Sequence, residues 1–181
     1  RKQSTPHFVQ GFQYYYNANT LAKKIGITRA GALKILKQFK AKDVLISKRF
    51  GKAMFYKLDL EEPYATKIIE TLLMAEARQY AARWLFEFKE LFSDVEMVLI
   101  FGSAIRNYEK ASDIDVVFVF TPENLNKVKE FIALKNKILP KRIHPVIQSP
   151  GDIEKNLNSR SEALVSAVKF GYVLHGYQKM I

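Results

Sequence analysis

The chain has 181 residues, no cysteine and a formal net charge of +11 at pH 7. This length allows one ordinary domain or two small ones, and the lack of cysteine excludes disulfides and thiolate metal sites. No apolar stretch is long enough to span a bilayer, and the first residues lack the apolar core of a signal peptide, so we expect a cytoplasmic protein.

The positive charge is concentrated in the first third of the chain. Residues 1–60 contain 13 Lys and Arg against 2 Asp and Glu, whereas residues 61–181 contain 16 of each and are neutral. Such asymmetry indicates a module that binds a polyanion, joined to a neutral module. Nucleic acid is the first expectation for the polyanion, and a lysine-rich surface that only aids solubility is the alternative.

Two short helices and a hairpin are predicted in this basic region. Residues 20–26 predict a helix capped by Thr20 and ended by Gly26, and Thr28 can cap a second helix. The apolar side of this second helix is predicted to consist of Ile27, Leu33, Ile35, Leu36 and Phe39. The stretches "VLISKRF" and "AMFYKLDL" have the alternating character of two strands, with a turn at Gly51 between them.

This order of elements resembles the winged-helix family of transcription regulators, over roughly residues 10–60. The resemblance implies a DNA-binding domain at residues 1–60, whose second helix enters the major groove of double-stranded DNA and whose hairpin contacts phosphates. The residues that would face DNA are Thr28, Arg29, Lys34 and Lys37 on the helix and Lys48, Arg49 and Lys52 on the hairpin. The alternative is a winged helix used for protein contacts.

Residues 61–93 predict a connecting helix. Apolar side chains recur at steps of three and four residues from Ile69 to Leu91, and Pro63 suits the first turn of a helix. Such a wide apolar face must be covered by the next domain or by a partner subunit. Because winged-helix proteins often bind DNA as dimers, we expect a homodimer.

Two carboxylates stand at the entrance of an apolar strand further along the chain. The strand "VEMVLIF" leads into Gly102 and Ser103, and after a short polar segment the strand "DIDVVFVF" begins. Asp113 and Asp115 are two residues apart in a strand, so their side chains project to the same side. Neighbouring carboxylates repel each other and resist desolvation, and a divalent cation such as Mg²⁺ between them removes both problems.

The Gly-Ser turn adds a site for an anion. Gly102 lets the backbone approach a ligand closely, and a helix that starts after it directs free N–H groups at the same space. Ser103 contributes a hydroxyl group, and Arg106 can reach a phosphate with two hydrogen bonds. A triphosphate cradle beside paired carboxylates is the equipment for in-line nucleotidyl transfer.

The segment "GSAIRNYEKASDID" resembles the signature of the polymerase-beta-like nucleotidyltransferase superfamily, and most closely its small, minimal branch, over residues 70–181. The resemblance implies a mixed sheet in residues 94–181 with helices mainly on one side, and hence an α+β fold for the whole chain. It implies that Asp113 and Asp115 are catalytic and hold up to two Mg²⁺ ions. Gly102, Ser103 and Arg106 would bind a nucleoside triphosphate, with ATP as the first expectation.

The family takes a third carboxylate from a later strand, and the matching strand here, "RIHPVIQ", contains no acid. Its polar residues are Arg142, His144 and Gln148. Asp152 and Glu154 follow, but their pattern is typical of charges in the first turn of a helix. His144 could act as a base, although a structural hydrogen bond is the preferred interpretation. Nucleotide and metal binding are therefore better supported than catalysis.

Three functions are compatible with these observations. The first is a DNA-binding protein whose second domain transfers a nucleoside monophosphate (NMP) group to a protein or a small acceptor. The second is a transcription regulator without enzymatic activity, whose degenerate transferase domain senses a nucleotide or dimerises. The third is the antitoxin of a toxin–antitoxin pair, with a small helical protein as its partner.

Overall fold

The computed structural model describes residues 14–159 and 161–180. These residues form a mixed α+β protein with two small sheets. They divide into two compact units, residues 14–71 and residues 72–180 without residue 160. Within the described part, no helix has both the length and the apolar character needed to cross a membrane.

The first unit contains two helices, a hairpin and the beginning of a third helix. These elements are α1 (Ala18–Ile25), α2 (Arg29–Lys40), β1 (Leu45–Phe50), β2 (Ala53–Leu58) and α3 (Pro63–Tyr80), which continues into the second unit. The two strands are antiparallel, and Gly51 has φ +57° in the turn between them. The backbone of Tyr16 pairs with Tyr56 and so adds a short extended segment to the hairpin.

Local side chains determine where the helices of this unit begin and end. Asn17, rather than the predicted Thr20, caps α1: its side chain accepts a hydrogen bond from the Thr20 N–H, and the Thr20 hydroxyl accepts one from the Asn17 N–H. This reciprocal pair is a capping box. Gly26 ends α1 with φ +73°. Thr28 caps α2 as predicted, by accepting a hydrogen bond from the Gly31 N–H at 3.1 Å.

The buried side of α2 is narrower than the apolar pattern predicted. Ala32 and Leu36 are buried and Leu33 is half-buried. Ile27, Ile35 and Phe39, which were predicted for the same side, are 38%, 36% and 42% exposed. The other elements of so small a unit cover only one stripe of the helix, so part of its apolar surface stays in contact with solvent.

The second unit contains a four-stranded sheet and its surrounding helices. After α3 come α4 (Ala82–Phe88), β3 (Met97–Phe101), α5 (Ser103–Arg106), β4 (Ile114–Val119), α6 (Leu125–Ile138), β5 (Ile143–Gln148), α7 (Pro150–Asn158), α8 (Glu162–Phe170) and β6 (Tyr172–His175). Single 3₁₀ turns lie at Lys89–Leu91, Pro122–Asn124 and Tyr177–Met180.

The helical segment predicted over residues 61–93 is divided in the structure. Ala81 has φ −129° and ψ 22°, which lies outside the helical range and separates α3 from α4. The periodic apolar residues after this break, Trp84, Phe88 and Leu91, are all buried in the core of the second unit. These side chains of the segment after the break pack in one cluster with residues of the sheet.

The strand order of the sheet is β5-β4-β3-β6, so β5 and β6 are the edge strands. β3 is antiparallel to both β4 and β6, whereas β4 and β5 are parallel. The edge strand β5 contains Pro145. β3 and β4 are buried along almost their whole length, which explains why their sequences are apolar without alternation.

Helices cover both faces of the sheet, whereas the family resemblance predicted cover mainly on one face. On one face, Val116 and Phe118 pack in a cluster with buried residues of α4 and α6. On the opposite face, Leu99 and Val117 pack in a second cluster with Leu164 of α8. Asp115 is two residues from Val117 in β4, so its side chain projects from the α8 face.

Burial raises the pKa of Glu76, which lies half-buried in α3, from its ordinary 4.5 to about 6. The folded state then binds this proton more tightly than the unfolded chain, so the contribution of Glu76 to stability is most favourable below the unfolded pKa and is lost as the pH rises through about 6. Glu76→Gln should therefore stabilise the protein by about 1–2 kcal/mol at about pH 7.5.

Urea unfolding measures this gain, which should shrink as the pH is lowered towards about 4.5. Glu90→Gln is the control, because Glu90 is exposed. A gain for Glu76→Gln that does not change with pH would contradict the raised pKa.

Candidate metal and nucleotide site

Three strands of the sheet bring the candidate residues together. Asp115 in β4 is in register with Phe101 at the end of β3 and with His144 near the start of β5. Gly102 follows β3 directly, and Asp113 lies in the bend that precedes β4. The Gly-Ser turn, the two aspartates and His144 therefore meet at one end of the sheet.

Asp113, Asp115 and His144 form a compact group. One ligand atom from each of these residues lies within 4.8 Å of the other two. Nδ1 of His144 is 3.1 Å from Oδ1 of Asp115. The Asp115 side chain is 21% exposed and the His144 side chain 66%, so the group is accessible to solvent.

The charges of this group fit a divalent cation. Among the ion pairs between described residues, none joins Asp113 or Asp115 to a lysine or an arginine. Half-buried carboxylates without a cationic partner repel each other, and a divalent metal ion neutralises both. Two carboxylates and an imidazole are all established metal ligands, so this donor set can hold such an ion.

Gly102 is in close contact with the carboxylate of Asp115. Its φ is +81°, a backbone conformation that residues other than glycine rarely adopt. A Cβ atom added to Gly102 would lie 2.0 Å from Oδ2 of Asp115, which is far inside van der Waals contact. The absence of a side chain thus allows the turn after β3 to lie directly against the Asp-Asp-His group.

The helix α5 carries the other residues predicted to bind phosphate. Ser103 is its first residue and is half-buried, and Ala104 is buried and anchors the helix to the core. Nε of Arg106 donates a hydrogen bond to the carbonyl oxygen of Gly102 at 3.2 Å. This bond holds the exposed guanidinium group against the turn.

Lys141 fixes the loop that leads to Asp113, a role that the sequence did not suggest. Its Nζ donates hydrogen bonds to the carbonyl oxygens of Glu109, at 3.0 Å, and Ala111. The same ammonium group lies 4.9 Å from the centre of the Tyr108 ring. Because Lys141 is about thirty positions from these partners, no local sequence signal could have identified it.

Three polar residues at the opposite end of the sheet have structural partners of their own. Asp152 lies in the first turn of α7 as predicted, where its backbone N–H and the Ser149 hydroxyl form a cap. The side-chain oxygen of Gln148 accepts a hydrogen bond from Asn156 at 2.6 Å. His175 stacks on Phe92 with 4.8 Å between ring centres, and burial lowers its pKa.

All seven residues predicted to face DNA are exposed on the first unit. They are Thr28, Arg29, Lys34, Lys37, Lys48, Arg49 and Lys52. Four lie on or directly before α2, and three lie on the β1–β2 hairpin or its turn. Residues 1–13 of the predicted DNA-binding domain lie outside the described part of the chain.

A comparison with protein families finds a match for the region around the Asp-Asp-His group. Residues 83–170 match the family model of the nucleotidyltransferase domain. The match runs from α4 to the end of α8. It confirms the predicted resemblance of this region to nucleotidyltransferases. Nucleotidyltransferase domains generally use a nucleoside triphosphate and Mg²⁺, and the Asp-Asp-His group lies inside the matched region. Comparisons with curated proteins and with solved structures found no match.

His144 lies in the matched region and was undervalued by the sequence analysis. A structural hydrogen bond was the preferred interpretation, and His144 does form one with Asp115, but the ring also lies close to Asp113. One signal was present, because His144 lies in the strand from which the family takes its third carboxylate. The sequence does not show that β4 and β5 are parallel neighbours, and it is this pairing that places His144 beside Asp115.

Gly102→Ala tests the close contact between the turn and Asp115. Alanine requires a rare backbone conformation and pushes the Asp115 carboxylate away, so we expect a loss of about 1–3 kcal/mol in the free energy of unfolding and weaker metal binding. Urea unfolding and calorimetric titration with Mg²⁺ measure the two effects.

Gly151→Ala is the matched control, because a Cβ atom at Gly151 meets no atom within 4 Å. We expect its stability and metal binding to stay close to those of the original chain. If Gly102→Ala had the same stability and metal binding as this control, the result would contradict the close contact between Gly102 and Asp115.

Proposed function

We propose that the protein transfers an NMP group from a nucleoside triphosphate to a hydroxyl group of a protein or small acceptor. The observation that carries this proposal is the convergence of Asp113, Asp115 and His144 within a region that matches the nucleotidyltransferase domain. In this proposal Asp113 and Asp115 hold a divalent cation. When bound, the ion neutralises phosphate charge and the charge that develops in the transition state.

The residues of the turn bind the triphosphate in this proposal. The Ser103 hydroxyl donates a hydrogen bond to a phosphate oxygen. Arg106 uses Nε for the carbonyl oxygen of Gly102 and has two terminal nitrogens left for a phosphate. Because the guanidinium group is already held against the turn, little side-chain freedom is lost when the nucleotide binds. Positioning of this kind is the main contribution of a protein to phosphoryl transfer.

Incubation with ATP labelled at the α-phosphate, Mg²⁺ and a cell lysate tests the proposed transfer. We expect a labelled acceptor with the unchanged protein. The double variant Asp113→Asn with Asp115→Asn should reduce the label to background, because the cation loses both carboxylates. Glu130→Gln, which removes an exposed carboxylate of the same domain, should leave labelling unchanged.

Labelling that persists in the double variant would exclude this group as the reaction centre. Another result would favour the second function considered above, a regulator without enzymatic activity whose second domain senses a nucleotide. If Mg²⁺ with ATP raised the melting temperature of the protein but no acceptor were labelled with any nucleotide, the domain would be a nucleotide sensor.

We also propose that residues 14–71 bind double-stranded DNA. The support is the order of α1, α2 and the hairpin together with the exposure of all seven predicted contact residues. This range contains 12 Lys and Arg against 5 Asp and Glu, a net charge of +7. Exposed cationic groups on one helix and one hairpin can neutralise phosphates and release their counterions.

The salt dependence of affinity tests this second proposal. The logarithm of the binding constant should fall linearly with the logarithm of salt concentration, with a slope of about −0.9 for each phosphate neutralised. Arg29→Ala and Lys37→Ala should each weaken binding and make the slope shallower by about one phosphate. Fluorescence anisotropy with labelled duplex DNA measures both quantities.

Lys129→Ala is the control, because Lys129 is an exposed lysine of the second unit. An affinity that does not respond to salt, or that both α2 variants leave unchanged, would refute the assignment of α2 as the DNA-facing helix.

A further inference from the structure

The proposed metal site contains a nitrogen donor where an all-carboxylate site has only oxygen. We propose that His144 is a ligand of the ion and that it makes the site select a divalent transition-metal ion, Mn²⁺ in particular, over Mg²⁺. This inference rests on the proposed function, since it concerns the ion of the same site.

The positions of the three side chains support a shared ligand set. The imidazole of His144 approaches both carboxylates, because its ligand atom and those of Asp113 and Asp115 lie within 4.8 Å of one another. The ring is also 66% exposed, so no burial holds it in this position.

The register of the strands explains why the imidazole reaches the carboxylates. Asp115 and His144 are direct neighbours on the parallel strands β4 and β5, so their side chains leave the same face of the sheet. Nδ1 of His144 is 3.1 Å from Oδ1 of Asp115. A cation that binds the Asp115 carboxylate therefore meets an imidazole nitrogen in the same space.

The chemistry of the donors then favours one class of ion. Mg²⁺ is small, prefers oxygen ligands and gives up its water molecules reluctantly. Imidazole is a better ligand for first-row transition-metal ions than for Mg²⁺. A site that contains a nitrogen donor therefore binds these ions more tightly than Mg²⁺. Mn²⁺ also accepts carboxylate and phosphate oxygens, so it suits two aspartates, one histidine and a triphosphate together.

Electron paramagnetic resonance of Mn²⁺ bound to the full chain tests the inference without any measurement of activity. Titration gives the dissociation constant for Mn²⁺, and competition gives that for Mg²⁺. We expect Mn²⁺ to bind at least about tenfold more tightly than Mg²⁺. Pulsed measurements should show coupling between the bound Mn²⁺ and a nitrogen nucleus.

Two substitutions of His144 distinguish a ligand from a neighbour. His144→Asn replaces the imidazole with an amide, and should remove the nitrogen coupling and weaken Mn²⁺ binding more than Mg²⁺ binding. His144→Asp adds a third carboxylate, whose charge strengthens the binding of both ions, so the ratio of the two dissociation constants is the readout. We expect His144→Asp to bring this ratio closer to one. Because His144 is exposed, both variants should fold, which circular dichroism checks.

The outcomes separate this inference from the proposed function. If Mn²⁺ binds through Asp113 and Asp115 but shows no nitrogen coupling, or if His144→Asp leaves the ratio unchanged, the inference fails and the proposed function stands. If Asp113→Asn with Asp115→Asn leaves a nitrogen-coupled Mn²⁺ in place, the ion lies elsewhere and the inference fails. If neither ion binds to the unchanged protein, with or without ATP, both proposals fail.

Discussion

The repulsion between the carboxylates of Asp113 and Asp115 is the constraint on which the candidate site of the second unit depends. Both groups are half-buried, and the described lysines and arginines form no ion pair with them. β3 and β4 are buried on both faces of the sheet, so the backbone cannot readily relax to separate the two charges. A rigid strand that holds Asp115, and a fixed loop that leads to Asp113, keep two like charges close together and are therefore suited to a cation.

The parts that surround this pair come from separate stretches of the chain. Gly102 brings the turn after β3 against Asp115, Lys141 fixes the loop before Asp113, and β5 supplies His144. Each part uses a different device, namely a missing side chain, an ammonium group that binds carbonyl oxygens, and the register of parallel strands. The site therefore depends on the assembled second unit and not on the short Asp-x-Asp segment alone.

The sequence predicted those features of the site that depend on neighbouring residues. The Asp pair, the Gly-Ser turn and the apolar strands are all local patterns, and the structure contains each of them. His144 was undervalued and Lys141 was missed because their positions depend on pairings between distant segments, which no single-sequence pattern records. In the first unit, Asn17 and Thr20 form one reciprocal cap, so choosing Thr20 alone moved the predicted helix start. The exposure of Ile35 and Phe39 was not foreseen, because periodicity locates apolar residues but not the amount of protein available to cover them.

Pro145 has a consequence for the outer border of the sheet. A strand at the border offers unpaired backbone groups to any passing extended chain, and a proline there cannot donate a hydrogen bond. Pro145 follows His144 in β5, which forms one border of the sheet. Strand addition by a second chain is thereby discouraged next to the imidazole of His144.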